Sequence, residues 1–172
     1  MKAEFLNPFI KSTAAIVEDI VSEKPAMDKI FLRNKYPYTT DEVAIFIGIT
    51  GQLSGQVVIS MPKASACGIA AAMLMEETVY ELDEFAQSAL AELANMIIAN
   101  STIGLSEAGV TCDITPPSVI TGKKMEISLP AQIKTVVIPF RIEAGKFDVN
   151  LSIIETSEFV KVQPSIKIAQ NV

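Results

Sequence analysis

The chain has no histidine and few cysteines, and both shortages narrow the chemistry it can carry out. Its 172 residues include no histidine and two cysteines, Cys67 and Cys112. Without an imidazole, the sequence excludes Ser–His and Cys–His nucleophile pairs, zinc sites that need histidine, and phosphohistidine chemistry. Two cysteines are too few for an all-thiolate metal site, and no pair motif surrounds either one. We therefore expect both to be buried, reduced thiols.

Basic clusters and long apolar runs are also missing. The net charge is −6, and the basic residues form no cluster larger than short pairs such as Lys123–Lys124. No nucleic-acid-binding surface is therefore expected. The most apolar stretch, residues 64–75, is shorter than the roughly 18 residues that a membrane helix needs. The first residues, MKAEFLNPFIK, place polar residues and a proline where a signal peptide has an apolar run. These features predict a cytoplasmic protein that binds neither nucleic acid nor membranes.

Apolar residues make up 49% of the chain, which is high for a soluble protein. A chain of this length suits one domain and buries a sizeable core, in which we expect Met73, Met75 and Met96 to serve as filler. The excess of apolar residues also indicates a surface that is covered by a partner. The simplest such partner is a second copy, so a homodimer is expected.

The spacing of the apolar residues predicts an α+β fold, in which helices pack on a mostly antiparallel sheet. Helices are predicted at residues 4–23, 63–76 and 83–105. Strands are predicted at residues 29–33, 42–50, 54–61, 124–130, 134–142 and 147–154, with strand and turn at 109–122. Asn7 and Pro8 are residue types of a helix start, with Asn7 as the cap and Pro8 in the first turn.

The order of these elements suggests an internal duplication. The helix at 4–23 precedes a hairpin at 45–61, and the helix at 83–105 precedes a second hairpin at 136–154. Each hairpin consists of two strands rich in Val and Ile, joined by a short turn that contains glycine. The sequence therefore predicts two halves, each a helix followed by a hairpin.

The helix at 83–105 has two faces of different character. The apolar face, which we expect to lie in the core, contains Ala86, Leu90, Leu93, Ala94 and Ile97. The opposite face, which we call the polar stripe, contains Ser88, Glu92, Asn95 and Ala99. Glu92 and Asn95 project side by side from it, and the small residues Ala91 and Ala99 leave room for another molecule. The plainer alternative is the ordinary polar face of an amphipathic helix.

A glutamate beside an asparagine suits phosphoryl transfer. The Asn95 amide both donates and accepts hydrogen bonds, so it can hold a water in line with an electrophile. The Glu92 carboxylate can pair with a lysine or support that water. Phosphoryl transfer requires positioning and electrostatics more than proton chemistry. No glycine-rich phosphate loop or carboxylate cluster accompanies the pair, so a catalytic metal is expected to arrive with the substrate.

The motif Ser88-x-x-x-Glu92-x-x-Asn95, followed by Met96–Ile97 and later by Pro117, resembles the signature of the CheC/CheX/FliY phosphatases of bacterial chemotaxis. The chain length, the apparent duplication and the single signature are most similar to the CheX-like members. The resemblance implies a CheC-like fold, with one phosphatase domain over residues 1–156. The remaining tail, residues 157–172, is expected to add at most an edge strand, because Pro164 is unsuited to a central one.

The resemblance also implies a substrate and a role for each residue. The substrate is a phosphorylated CheY-like receiver domain, whose aspartyl phosphate is hydrolysed. Glu92 pairs with a lysine of the receiver, and Asn95 orients the attacking water. The Mg²⁺ belongs to the receiver, so the chain has no metal or cofactor of its own, and members of this type are homodimers joined through their sheets. The residues at the contact with the partner are Ser88, Ala91 and Ala99, while Pro117 shapes the fold.

Two positions depart from the pattern of the family. The first helix carries Glu18, but the residue three positions later is Val21 and not asparagine, so we expect one site per chain. Ala99 stands where a glycine is expected in close relatives, which bears on how closely the receiver approaches. Two alternatives without catalysis remain open: a module that docks receiver domains, and a purely structural dimerisation domain.

Overall fold

The computed structural model of the chain describes residues 3–130 and 133–157. The edge strand considered for residues 157–172 falls outside this described part, apart from Ser157. The extent of a single domain over residues 1–156 stays a prediction. Among the described residues, no helix is both long enough and apolar enough to span a membrane.

The described residues form helices and strands close to the predicted ones. The helices are α1 (Ala3–Val21), α2 (Lys63–Leu74) and α3 (Glu84–Glu107). The strands of the first half are β1 (Ala26–Met27), β2 (Phe31–Arg33), β3 (Tyr38–Thr39), β4 (Val43–Gly51) and β5 (Leu53–Met61). Those of the second half are β6 (Cys112–Ile114), β7 (Ser118–Thr121), β8 (Glu126–Ile127), β9 (Thr135–Ile142) and β10 (Gly145–Glu155).

The main sheet is antiparallel, as the sequence predicts. Its strands lie in the order β1-β9-β10-β5-β4-β6, with β2 also paired to β9 and β7 also paired to β4. Strands β3 and β8 form a separate antiparallel pair. The β4–β5 hairpin turns at Gly51, whose φ of 111° is a conformation that suits glycine. The α+β class with helices on an antiparallel sheet is therefore confirmed.

The arrangement of elements repeats along the described chain. Helix α1 is followed by β1 to β5, and α3 is followed by β6 to β10, with α2 between the two sets. The two hairpins meet at the pairing of β5 with β10. The short strands after each helix pair with the hairpin of the other set, since β1 and β2 pair with β9, and β6 and β7 with β4. This order matches the predicted halves, while their origin by duplication stays a prediction.

The core lies between the helices and one face of the sheet. Alternate residues of the long strands point into it, as the period of two in a strand requires. Its largest fully buried side chains include Phe9 on α1, Leu90 and Ile97 on α3, and the stacked rings of Phe140 and Phe147. Burial of this apolar face fixes each helix in rotation against the sheet.

Three of the smaller expectations from the sequence are wrong. Helix α1 is described from Ala3, so Pro8 lies inside it and Asn7 is not its cap. The earlier turn is held because Phe5 is buried in the core, and Pro8 itself packs near Gly104 of α3. Met75 and Met96 are exposed and not core filler. Cys67 is a buried free thiol as expected, but Cys112 is free and only half-buried.

The outer face of the sheet carries a buried polar network around Asn150. The Asn150 Nδ2 donates to the Val58 carbonyl at 3.0 Å and to the Ser60 Oγ at 3.1 Å. Its Oδ1 accepts from Nη1 of Arg33 at 2.9 Å. Nearby, burial raises the pKa of the Asp148 carboxyl, and the charge of Asp41 raises it further, while Lys146 and Arg33 act in the opposite direction.

Replacement of Asp148 by asparagine is expected to raise the free energy of unfolding at neutral pH. Because the pKa of the folded state is raised, the wild type loses stability as the pH rises from the ordinary value of 3.8 through the folded-state pKa. Asp148→Asn removes the carboxylate and therefore this loss. Denaturant unfolding of both proteins, at neutral pH and at a pH below 3.8, measures the difference between their free energies of unfolding. The stability gained by Asp148→Asn should shrink at acidic pH. An equal destabilisation of the variant at both pH values would contradict this expectation.

Candidate functional site

Helix α3 is fixed at its start by a side-chain cap and along its length by its buried face. The Asp83 Oδ1 accepts a hydrogen bond of 2.9 Å from the backbone N–H of Ala86, which satisfies one of the free donors at the helix start. The five residues predicted for the core face are all buried: Ala86, Leu90, Leu93, Ala94 and Ile97. The polar stripe therefore points away from the core.

The structure brings most of the predicted site residues together in one open groove of about 500 Å³. On the helix side, the groove is lined by Ser88, Ala91, Glu92 and Asn95. Ser88 and Glu92 are exposed, whereas Ala91 and Asn95 are half-buried. Ala99 is half-buried one turn further along α3 and does not line the groove.

The opposite side of the groove is an interruption in the strand that borders β4. Strand β4 pairs with β6 up to the pair Ile49–Ile114 and with β7 from the pair Phe46–Ser118. Between these pairs, the three residues 115–117 lie opposite the two residues 47–48, which makes a bulge. Pro116 and Pro117 suit this place because they have no N–H to donate to β4. We call Thr115–Pro117 the groove wall.

The groove wall is fastened to β4 through one residue pair. The Thr115 N–H donates to the Gly48 carbonyl at 3.0 Å, and the Gly48 N–H donates to the Thr115 Oγ1 at 2.8 Å. A Cβ at position 48 would lie 2.9 Å from the Thr115 Cγ2, closer than two such atoms pack. A residue without a Cβ at position 48 is therefore what allows Thr115 to lie against β4.

Glu92 and Asn95 are available to a second molecule. Within residues 3–130 and 133–157, neither side chain makes a hydrogen bond or an ion pair. Asn95 is half-buried beside the groove wall, so its amide loses part of its contact with water without gaining a partner among the residues that the structure describes. A ligand that supplies the missing hydrogen bonds to such a group therefore binds with a more favourable free energy.

The groove offers little to a metal ion. Glu92 contributes the one carboxylate among the residues that line it. No group of three Cys, Asp or Glu residues that could hold a metal occurs in the described part of the chain. Mg²⁺ prefers several oxygen ligands in octahedral geometry, so a cation at this groove would need ligands from another molecule.

The sequence identified the helix side of this groove but missed its other side. The resemblance implies that Pro117 shapes the fold, and in the structure it also lines the groove together with Ile114, Thr115 and Pro116. The adjacent prolines were a signal for a break in a strand. The resemblance puts Pro117 in the same signature as Asn95, but no local pattern predicts that this break lies beside Asn95, because that depends on the pairing of β6 and β7 with β4.

Comparison with known proteins identifies a family that matches more than half of the chain. Residues 43–141 match the family described as chemotaxis phosphatase CheX. The CheY-P phosphatase CheX of Thermotoga maritima is 31% identical over 160 residues, which cover 89% of this chain and 97% of that protein.

Solved structures with the same fold agree with this match. A CheC-like superfamily protein from Shewanella sp. PV-4 is similar with a TM-score of 0.80 and 24% identity, over 90% of this chain and 99% of that one. CheX from Borrelia burgdorferi, solved in a complex with CheY, BeF₃ and Mg²⁺, has a TM-score of 0.74 and 25% identity. That similarity covers 88% of this chain and 98% of the other.

Substitution of Gly48 by alanine is expected to loosen the groove wall. The added Cβ forces Thr115 to rotate or move, which breaks the bond from the residue-48 N–H and lowers the free energy of unfolding by about 1–3 kcal/mol. Denaturant unfolding and hydrogen exchange of the amide at position 48 measure both effects. Adding Thr115→Ser removes the clashing Cγ2 and keeps the Oγ, so the double variant should recover part of the loss. Unchanged stability and exchange in Gly48→Ala would contradict the assignment.

Proposed function

The chain belongs to the CheX family of chemotaxis phosphatases, and on this premise we propose that it hydrolyses the aspartyl phosphate of a CheY-like receiver domain. The observation that carries the proposal is the pair Glu92 and Asn95, which lie side by side in an open groove and have no hydrogen-bond partner within the described part of the chain. The reaction joins water to the phosphorus and releases the aspartate carboxylate and inorganic phosphate. Two relatives support the choice of a CheY-like substrate, since one is a CheY-P phosphatase and another was solved in a complex with CheY.

Asn95 is proposed to orient the attacking water. An amide has a carbonyl that accepts from the water and an NH₂ that donates to a phosphoryl oxygen, and neither needs to change protonation. The groove wall and the neighbouring Ala91 limit the directions in which the Asn95 side chain can point. Holding the water in line reduces the entropic part of the barrier, which is the main contribution available in phosphoryl transfer.

Glu92 is proposed to pair with a lysine of the receiver. It lies three residues before Asn95, about one turn of helix away, so both side chains reach the same partner surface. Its exposure leaves the carboxylate free to move toward a cation as the two proteins meet. The pairing would place the receiver so that its phosphate lies opposite Asn95, while Ser88, Ala91 and Ala99 permit a close approach of the two backbones.

Any Mg²⁺ in the reaction is proposed to be bound by the receiver. The single carboxylate of the groove does not make a cation site by itself. When bound there, the ion neutralises charge on the phosphoryl oxygens. The contribution of this chain is then limited to orienting water and to binding the receiver, and it needs no cofactor of its own.

Two further expectations belong to the proposal. A homodimer would cover the apolar residues exposed on β1 and β2 at one end of the sheet, Met27, Phe31 and Leu32. A cytoplasmic location would bring the protein together with its receiver. The alternative function, a module that binds receivers without hydrolysis, would use the same groove. It is distinguished from a phosphatase because it would leave the lifetime of the receiver phosphate unchanged.

Asn95→Ala is expected to lower kcat for receiver dephosphorylation by about 10²–10³, the usual cost of losing one positioning group. The fold should be unaffected, because the Asn95 side chain makes no hydrogen bond within the described residues. The decay of phosphorylated receiver, followed with and without the protein, measures the effect. Asn100→Ala, an exposed asparagine on the same helix and outside the groove, is the matched control. Equal rates for Asn95→Ala and wild type would refute this role.

Glu92→Gln is expected to act on recognition. Loss of the charge pair should lower kcat/KM roughly tenfold at low salt, and the dependence of kcat/KM on salt should become weaker. Glu107→Gln changes the charge of α3 by the same amount at its far end, so it controls for the net charge. A wild-type salt dependence in Glu92→Gln would show that the carboxylate faces no cation in the complex.

A further inference from the structure

Three large apolar side chains are exposed on helix α3. Phe85 is 76% exposed, Ile103 is 58% exposed and Met96 is 38% exposed. They are separated by three and two turns, so they lie within about 20° of one line along the helix. A line of large apolar groups on the exposed face of a helix is a candidate for contact with another protein. We call these three residues the apolar ridge.

The apolar ridge runs beside the polar stripe, on the side away from the groove wall. With 100° per residue, Glu92 lies about 60° and the ridge about 80–100° round the helix from Asn95, and none of the three ridge residues lines the groove. A protein that covers Glu92 and Asn95 therefore lies directly beside the ridge. The ridge is therefore continuous with the surface that the receiver is proposed to contact.

The length of the apolar ridge fits a protein interface. Phe85 and Ile103 are 18 residues apart, which is about 27 Å along a helix. Glu92 lies between these ends, about 10 Å from Phe85. A typical interface covers about 800 Å² on each partner, a patch roughly 30 Å across. One receiver centred near Ala94, two residues from Glu92 and midway along the ridge, would thus reach both ends.

The charge near Phe85 indicates the chemistry of the partner surface. The segment that leads into α3 contains no Lys or Arg between positions 75 and 85. Its five acidic residues are Glu76, Glu77, Glu81, Asp83 and Glu84. A partner that covers Phe85 would therefore present an apolar hollow with lysine or arginine at its edge.

We propose that the apolar ridge anchors the receiver and determines which receivers the protein accepts. This inference rests on the proposed function, because the occupant is the receiver itself. The division of labour is between Glu92 and Asn95, which act on the phosphate, and Phe85, Met96 and Ile103, which supply affinity. Apolar anchors of this kind carry much of the binding free energy in protein interfaces. Receivers that lack the apolar hollow are poor substrates even when their active sites are intact.

The test separates binding from turnover with variants of the ridge. Phe85→Ala is expected to raise KM for the phosphorylated receiver about tenfold, and Ile103→Ala about threefold, with kcat changed less than about twofold. The dissociation constant for receiver loaded with beryllofluoride and Mg²⁺ should rise by the same factors. Asn95→Ala should show the opposite split, with kcat lowered and binding retained. Phe85→Leu keeps an apolar side chain and should recover most of the affinity.

Ile120→Ala is the matched control for Ile103→Ala. Ile120 is 48% exposed on β7 and points away from the helices, so its loss should leave KM and binding unchanged. Unchanged KM and binding in both Phe85→Ala and Ile103→Ala would overturn the inference and leave the proposed phosphatase activity standing. Binding that depends on Phe85, without any acceleration of phosphate loss by the wild type, would retain the ridge and refute the phosphatase. A wild type that neither binds nor dephosphorylates a receiver would overturn both.

Discussion

The burial of one face of α3 against the sheet is the constraint on which the site depends. Leu90, Leu93 and Ile97 are removed from water together, and this fixes the rotation of the helix. Once the rotation is fixed, Glu92 and Asn95 point outward, and the apolar ridge takes the flank beside them. The groove forms because β6 and β7 then pass next to the same helix, interrupted at the groove wall.

The fold and the helix side of the site could be predicted because each depends on a local repeat in the sequence. The period of α3 separates its buried residues from Glu92 and Asn95, and the alternation in β4, β5, β9 and β10 indicates half-buried strands. The sheet order could not be predicted in the same way. The short strands pair across the two sets of elements, and no local pattern in residues 26–33 or 112–121 specifies such distant partners.

The remaining differences come from tertiary contacts that override local preferences. Pro8 is a residue type of a helix start, yet α1 extends before it because Phe5 is buried in the core. Thr115 gave no signal of its own, and it lines the groove because Gly48 leaves space for it. Met96 is an apolar residue of a type common in cores, yet it is exposed, because the larger buried face of α3 sets the rotation of the helix. Two of these residues, Thr115 and Met96, lie at or beside the proposed interface, whereas Pro8 lies on α1 against α3.

The proposed function requires that the face of α3 that carries Asn95 enters the active site of a receiver. The most direct measurement is a crystal structure of this protein in complex with a receiver loaded with beryllofluoride and Mg²⁺. In that complex, we expect the Asn95 amide to lie within about 3.2 Å of a water in line with the beryllium, and Glu92 to contact a lysine of the receiver. A complex in which the groove between α3 and the groove wall stays open to solvent would contradict the account.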